Sequence, residues 1–153
     1  MTRTRRLVTR DTIDALIHLD VAAGQVDLVS PNAVTLAQAA YEPGAYVWGL
    51  WDGETAVGLM AMIHPREDPF LGESDDPDAA YLWRLLIDAA HQRKGHGTFA
   101  LAEAVAQSRA WGLPRLMLNV ADDPASAMPF YLGFGLKPTG RVVHDELELV
   151  MSV

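Results

Sequence analysis

Apolar residues recur along this chain with two different periods, and each change of period marks a new element. From Arg5 to Arg10 they alternate with polar ones, which predicts a short first strand. Ile13, Leu16, Ile17 and Leu19 then fall on one helical stripe, with Asp11 or Thr12 in position to cap it. Ser30-Pro31-Asn32 opens a second helix, with Ser30 as N-cap and Pro31 in the first turn. Its apolar positions are Leu36, Ala37, Ala39 and Ala40, and Pro43-Gly44 ends it. Tyr46 to Trp51 and Thr55 to Ile63 read as strands joined at Asp52-Gly53, a hairpin signal because both turn residues tolerate positive φ.

Residues 65 to 78 form a loop rich in proline and carboxylates, a solvated connection or a negative rim for an amine. Tyr81 to Ile87 is too apolar for a strand with a wet face, so it is expected at the centre of a sheet, covered on both sides. A helix from Phe99 to Trp111 ends at Gly112, with Pro114 beyond it. Arg115 to Val120 is the next strand, parallel to Tyr81–Ile87 through a right-handed crossover. Asp123-Pro124 starts a last helix bearing Phe130 and Tyr131, and Pro129 inside it is expected to bend or weaken its early turns. Leu136 to Val143 and Leu147 to Met151 close the chain as an antiparallel pair turned at His144-Asp145-Glu146. The order β-α-α-β-β-β-α-β-α-β-β describes one mixed α/β domain over residues 1–153.

Composition narrows the chemistry. With 153 residues, half of them hydrophobic, the chain is long enough for a real core. It has no cysteine, which excludes disulfides, thiolate metal sites and a cysteine nucleophile, and fits a cytoplasmic location. A net charge of −8 argues against a general nucleic-acid binder and is compatible with a cationic substrate. No apolar run approaches the ~20 residues of a membrane span. Arg5-Arg6 is not followed by the apolar stretch of an export signal, because Asp11, Asp14 and Asp20 interrupt it. The five histidines show no paired ligand spacing, so no metal is implied.

The candidate chemistry lies between the central strand and the helix after it. Gln92-Arg93-Lys94-Gly95-His96-Gly97-Thr98 is a glycine-punctuated turn at a helix N-terminus. Such a turn points several backbone N–H groups into one concavity, where the helix dipole favours an anion. Gly95 and Gly97 let backbone approach a ligand, and Arg93 and Lys94 add positive charge suited to a pyrophosphate. The turn lacks the Gly-x-Gly-x-x-Gly of dinucleotide folds and the Gly-Lys-Ser/Thr of a P-loop.

Gln-x-x-Gly-x-Gly after a buried strand resembles the acetyl-CoA pyrophosphate loop of the GNAT N-acetyltransferase superfamily. A second stretch, Ala127-x-x-Phe130-Tyr131 followed by Gly135-Leu136, is similar to that superfamily's distal signature, with Leu136 in a phenylalanine's place. The resemblance implies a central mixed sheet of six to seven strands flanked by four helices, with the fourth and fifth strands parallel and splayed. It implies acetyl-CoA as cosubstrate, its pantetheine arm along Leu85, Leu86 and Ile87, with the Leu86 N–H polarising the thioester carbonyl. Gln92 through Thr98 would hold the pyrophosphate, and Tyr131 would be the general acid toward the departing thiolate. Where the family often carries an asparagine this chain has Pro124, so Asn119 is the substitute expected to hold the cofactor. The base is left among Glu42, Asp88 and Glu73, with His96 read as a loop side chain and Arg84 as a structural ion-pair partner.

Stretches in the first half, including Ser30-Pro31-Asn32-Ala33, Tyr41 to Tyr46, Asp52 to Gly58 and Trp83 to Asp88, are similar to bacterial spermine/spermidine acetyltransferases. That resemblance implies a small-molecule amine, a polyamine, as acceptor, and leaves a homodimer open as an assembly. Tyr41, Tyr46, Trp48 and Trp83 could line an amine channel or belong to the core. Another amine acceptor (an aminoglycoside-like drug, an amino acid or a protein amine) and a non-catalytic acyl-CoA sensor are the alternatives.

Overall fold

A computed structural model describes residues 2–26 and 28–153. Strands β1 (Arg3–Leu7), β2 (Ala45–Asp52), β3 (Thr55–Ile63), β4 (Ala79–Ile87), β5 (Arg115–Ala121), β6 (Lys137–Val143) and β7 (Glu146–Ser152) form one sheet. Its order is β1-β2-β3-β4-β5-β7-β6. Helices α1 (Ile13–Ile17), α2 (Asn32–Ala39), α3 (His96–Ala110) and α4 (Met128–Phe134) connect the strands. β4 and β5 run parallel and the other neighbours antiparallel.

The parallel pairing is short, and this creates the site. β4 and β5 are in register only at Ala79↔Arg115, Ala80↔Leu116 and Tyr81↔Met117. Beyond these pairs both strands continue, β4 to Ile87 and β5 to Ala121, without joining. The sheet therefore opens into a V whose closed end is tied by Arg115. Its guanidinium donates to both carboxylate oxygens of Asp76, at 2.6 and 3.0 Å.

Helix α3 covers the sheet through small residues. Ala100, Ala104 and Ser108 recur every fourth position and are fully buried with Leu101, so the helix axis can approach the strands closely. Ala100, Leu101 and Ala104 share one buried cluster with Met60, Met62, Leu82, Leu116 and Leu118. A second buried cluster joins Leu16, Trp51 and Leu59. At its end Gly112 has φ +72°, and the Leu113 N–H reaches back to the Ser108 carbonyl at 3.0 Å, closing the helix as expected.

Several boundaries depart from expectation, three of them as follows. β1 lies at Arg3–Leu7 rather than Arg5–Arg10, because Thr9 and Thr12 form a turn before α1, with Thr12 N–H on the Thr9 carbonyl. The N-cap of α2 is Pro31, one residue after Ser30. Helix α4 starts at Met128, not at Asp123-Pro124, because Asp123 instead accepts from the Ala125 N–H in a local turn. Pro129 therefore falls in the first turn, where no intrahelical N–H is needed, and neither bends nor breaks the helix.

Candidate active site

The two unpaired strand edges enclose two cavities. The first, of about 400 Å³, is lined by Leu85, Leu86, Ile87, Gln92, Arg93, Gly95, Gly97, Thr98, Phe130 and Tyr131, with residues from the α1–α2 connection. The second, of about 710 Å³, lies between Tyr81–Leu85 and Leu118–Ala121, with His144, Asp145 and Glu146 at the β6–β7 turn. They meet at Leu28, Val29, Leu85, Ala127 and Tyr131. Tyr131 thus stands where an extended ligand from one side would meet a second ligand from the other.

The glycine turn brings the N-terminus of α3 to the wall of the first cavity. Gly95 is the N-cap of α3 in the left-handed region, φ +88°, and Arg93 also has a positive φ, +60°. Arg3 of β1 reaches the turn and donates to the Lys94 carbonyl at 2.6 Å. Gly97 serves a different need. A Cβ there would lie 3.0 Å from the Phe130 ring, so the missing side chain lets α4 pack on the start of α3. The Gln92 amide donates to the Ile87 carbonyl at 3.0 Å and to the Gln25 side chain at 2.9 Å, which ties the end of β4 to the α1–α2 connection.

Lys94 and His96, expected at the pyrophosphate, do not line the cavity. His96 is not a loop side chain either. It opens α3, is 2% exposed, and its Nδ1 has no hydrogen-bond partner among the described residues. Burial, with Arg3 nearby, lowers its pKa, which favours the neutral ring. Asn119 lines the second cavity rather than the first, with a buried Oδ1 that has no partner among the described residues.

Strand phase corrects the expectation for Leu86. The Asp88 N–H donates to the Val57 carbonyl of β3 at 2.9 Å, and the register continues as Gly58↔Ile87 and Leu59↔Leu86. Backbone groups alternate sides along a strand, so Leu86 turns toward β3 as Asp88 does. A Cβ on Gly58 would sit 2.5 Å from the Leu86 carbonyl, which shows how closely that group faces β3. Leu85 and Ile87 are the residues whose backbone faces the gap, and a donor to a ligand carbonyl would come from Leu85.

Tyr131 follows directly from the placement of α4. Burial, with the Glu146 carboxylate adding to it, pushes the phenol up to about 12. It stays protonated at neutral pH, as a proton donor must. Glu146 is the group that motif reading missed: it lines the second cavity and forms no ion pair among the described residues. Glu148 is buried but committed, accepting from Thr139 and pairing with Arg141. Of the earlier base candidates, Asp88 accepts the Asp20 N–H, while Glu42 and Glu73 line neither cavity.

An unpaired strand edge, a glycine turn at a helix start and a protonated phenol together can hold an extended anionic thioester. The Acetyltransferase (GNAT) family profile matches residues 14–135. The chain belongs to the GNAT acetyltransferase family. Human N-acetyltransferase 8 is 28% identical over 100 residues, which is 65% of this chain but only 42% of that protein. Among solved structures, the PaiA N-acetyltransferase of Thermoplasma acidophilum, in complex with coenzyme A, superposes with a TM-score of 0.70 at 15% identity over 100% of both chains. The GNAT domain of S. lividans PAT gives 0.76 at 15% identity, covering 100% of this chain and 92% of that one. The aminoglycoside acetyltransferase AAC(6')-Ib gives 0.78 at 16% identity, over 99% and 95%. At these identities the likeness is one of GNAT fold.

Proposed function

We propose that this GNAT chain transfers the acetyl group of acetyl-CoA directly to the primary amine of a small molecule. The observation that carries the reading is the V between β4 and β5, with the glycine turn beside it and Tyr131 at the junction of its two cavities. Acetyl-CoA supplies an activated thioester. Arg93, Gly95 and Thr98 would hold its pyrophosphate, and Leu85 and Ile87 would pair with its pantetheine arm as a missing strand does.

The Leu85 N–H would meet the developing oxyanion. The amine nitrogen forms the new C–N bond and the C–S bond breaks. The amine's proton passes to Glu146, and the departing thiolate takes one from Tyr131. With the phenol at about 12 and a thiol near ~8.5, full transfer from Tyr131 to the released thiolate is uphill by roughly 5 kcal/mol, so the phenol shares its proton with the sulfur as the C–S bond breaks.

A polyamine acceptor has the sequence resemblance as its support. The features expected to serve a polycation lie elsewhere. Residues of the acidic 65–78 loop line neither cavity, and Asp76 and Asp78 are engaged by Arg115 and Arg66. Tyr46 is half-buried and stacks on the buried Trp48, and Tyr41 is 89% exposed, which leaves Trp83 alone at the second cavity. Thiol release from acetyl-CoA, measured with spermidine, aminoglycosides and amino acids, tests the reading. Thiol release no faster than acetyl-CoA hydrolysis with every primary amine would sink it.

A further inference from the structure

The second cavity carries opposite charges on opposite walls. On the β4 side, the register with β3 shifts between Ala61↔Arg84 and Met62↔Leu82, leaving Trp83 as an extra residue. Such a bulge re-aims the side chains beside it, and both Trp83 and Arg84 line the cavity. The Arg84 guanidinium lies over the Trp83 ring, 4.4 Å from its centroid, and Nη2 donates to the Gln38 side chain at 3.2 Å. Arg84 has no carboxylate partner among the described residues, against the expectation of a structural ion pair, and its Nη1 is buried with no acceptor. A desolvated cation is costly unless an anion meets it.

The facing wall is made of acceptors. Asn119 of β5 presents its buried Oδ1, and Asp145 and Glu146 border the cavity at the β6–β7 turn. Arg84 and Glu146 share the space without forming an ion pair with each other. We propose that this cavity is a zwitterion site, in which Glu146 and Asn119 receive the reacting ammonium and Arg84 receives a carboxylate of the same acceptor. The inference rests on the acetyl-transfer reading above and names its acceptor class: an amine that carries a carboxylate, of the amino-acid type. A small turn of the guanidinium onto the incoming carboxylate satisfies the donor that water does not reach. A second ammonium at that position would instead be repelled.

The test uses amino acids beside the amines left when their carboxylate is removed: phenylalanine and 2-phenylethylamine, histidine and histamine, lysine and 1,5-diaminopentane. Thiol release from acetyl-CoA should favour the carboxylate member of at least one pair by tenfold or more in kcat/KM. Arg84→Gln should raise KM for that amino acid about tenfold or more while improving turnover of its decarboxylated partner. A merely structural defect would lower both, and Arg84→Lys should recover part of the preference. Equal or better turnover of the decarboxylated amines, or an Arg84→Gln loss shared by both members, overturns the zwitterion site and leaves acetyl transfer standing. If every amine fails, acetyl transfer to them fails, and calorimetric titration of the amino acids into the CoA-loaded protein decides the site. Binding that Arg84→Gln abolishes supports it, and no binding overturns it.

Discussion

Burial holds the Tyr131 phenol protonated far above neutral pH, so its proton is always available and always expensive to lose. Tyr131→Phe keeps the ring's packing and removes only the hydroxyl. Acetyl transfer should fall by about 10²–10⁴-fold in kcat, with CoA affinity by calorimetry nearly unchanged. A rate equal to wild type across the pH range would remove the phenol from the mechanism. The same burial has a consequence for stability. A tyrosine ionises near ~10 when unfolded, and the folded value lies at about 12. The unfolded chain therefore releases this proton first, and stability present below pH ~10 is lost as pH rises toward 12. Tyr81, pushed up to about 12 mainly by burial, acts in the same direction. Denaturant unfolding at pH 9 and 11 should show a smaller alkaline loss in Tyr131→Phe than in wild type, with the remainder due in part to Tyr81.

Glu146 belongs to the same scale but answers a different question. Replacing it with Gln removes a proton acceptor and keeps the shape of the cavity wall. The expected result is a drop of about 10²-fold or more in kcat near neutral pH, partly recovered at alkaline pH where the amine arrives already deprotonated. An unchanged pH–rate profile would remove Glu146 as the base.

At the scale of elements, the start of α3 and the start of α4 depend on one missing side chain. A methyl group at Gly97 would press on Phe130, and Phe130 precedes Tyr131 on a helix of seven residues. Gly97→Ala should cost about 1–3 kcal/mol through overpacking, read as a lower Tm. It should reduce kcat more than CoA affinity, because the displaced phenol lies at the reaction end of the cavity. A loss confined to CoA affinity would mean that Gly97 serves the ligand rather than α4.

These elements were legible to very different degrees. Asp52-Gly53 announces its hairpin because turn chemistry is local, and Gly112 ends α3 for the same reason. The distal Ala127-x-x-Phe130-Tyr131 stretch locates the phenol but not the start of its helix, since the Asp123 turn competes with capping. Which of Leu85 and Leu86 offers its N–H to the gap depends on the hydrogen-bond phase with β3, and no spacing in the chain encodes that phase. Glu146 reads as a turn residue in sequence. It reaches the cavity only because β7 inserts between β5 and β6, which sets Glu146 opposite Ala121. Arg84 reads as a structural ion-pair partner until the bulge at Trp83 sets it on the wall of the second cavity. What the sequence left out is long-range placement.

Over the whole molecule, function depends on a sheet that is shut at one end and open at the other. Three residue pairs join β4 to β5, and Arg115 of the first pair is clasped by Asp76. Arg115 beside Asp76 holds its carboxyl below the usual range, the hydrogen bond being the main cause. For a carboxylate with a lowered folded pKa, the stabilisation is present above the unfolded value near ~3.9. It is lost as pH falls through the folded value. Asp76→Ala should therefore cost about 1–2 kcal/mol at neutral pH, a charged hydrogen bond discounted for partial exposure. Its stability should then decline less than that of wild type below pH 4. Amide exchange at Ala80 and Tyr81 should quicken, and CoA affinity should fall, because a V without its clasp no longer presents Leu85 and Ile87 at a fixed spacing from β5. If exchange quickens while CoA affinity and kcat stay at wild-type values, the opening between the strands is set by α3 and α4 packed beneath it, and the clasp serves stability alone.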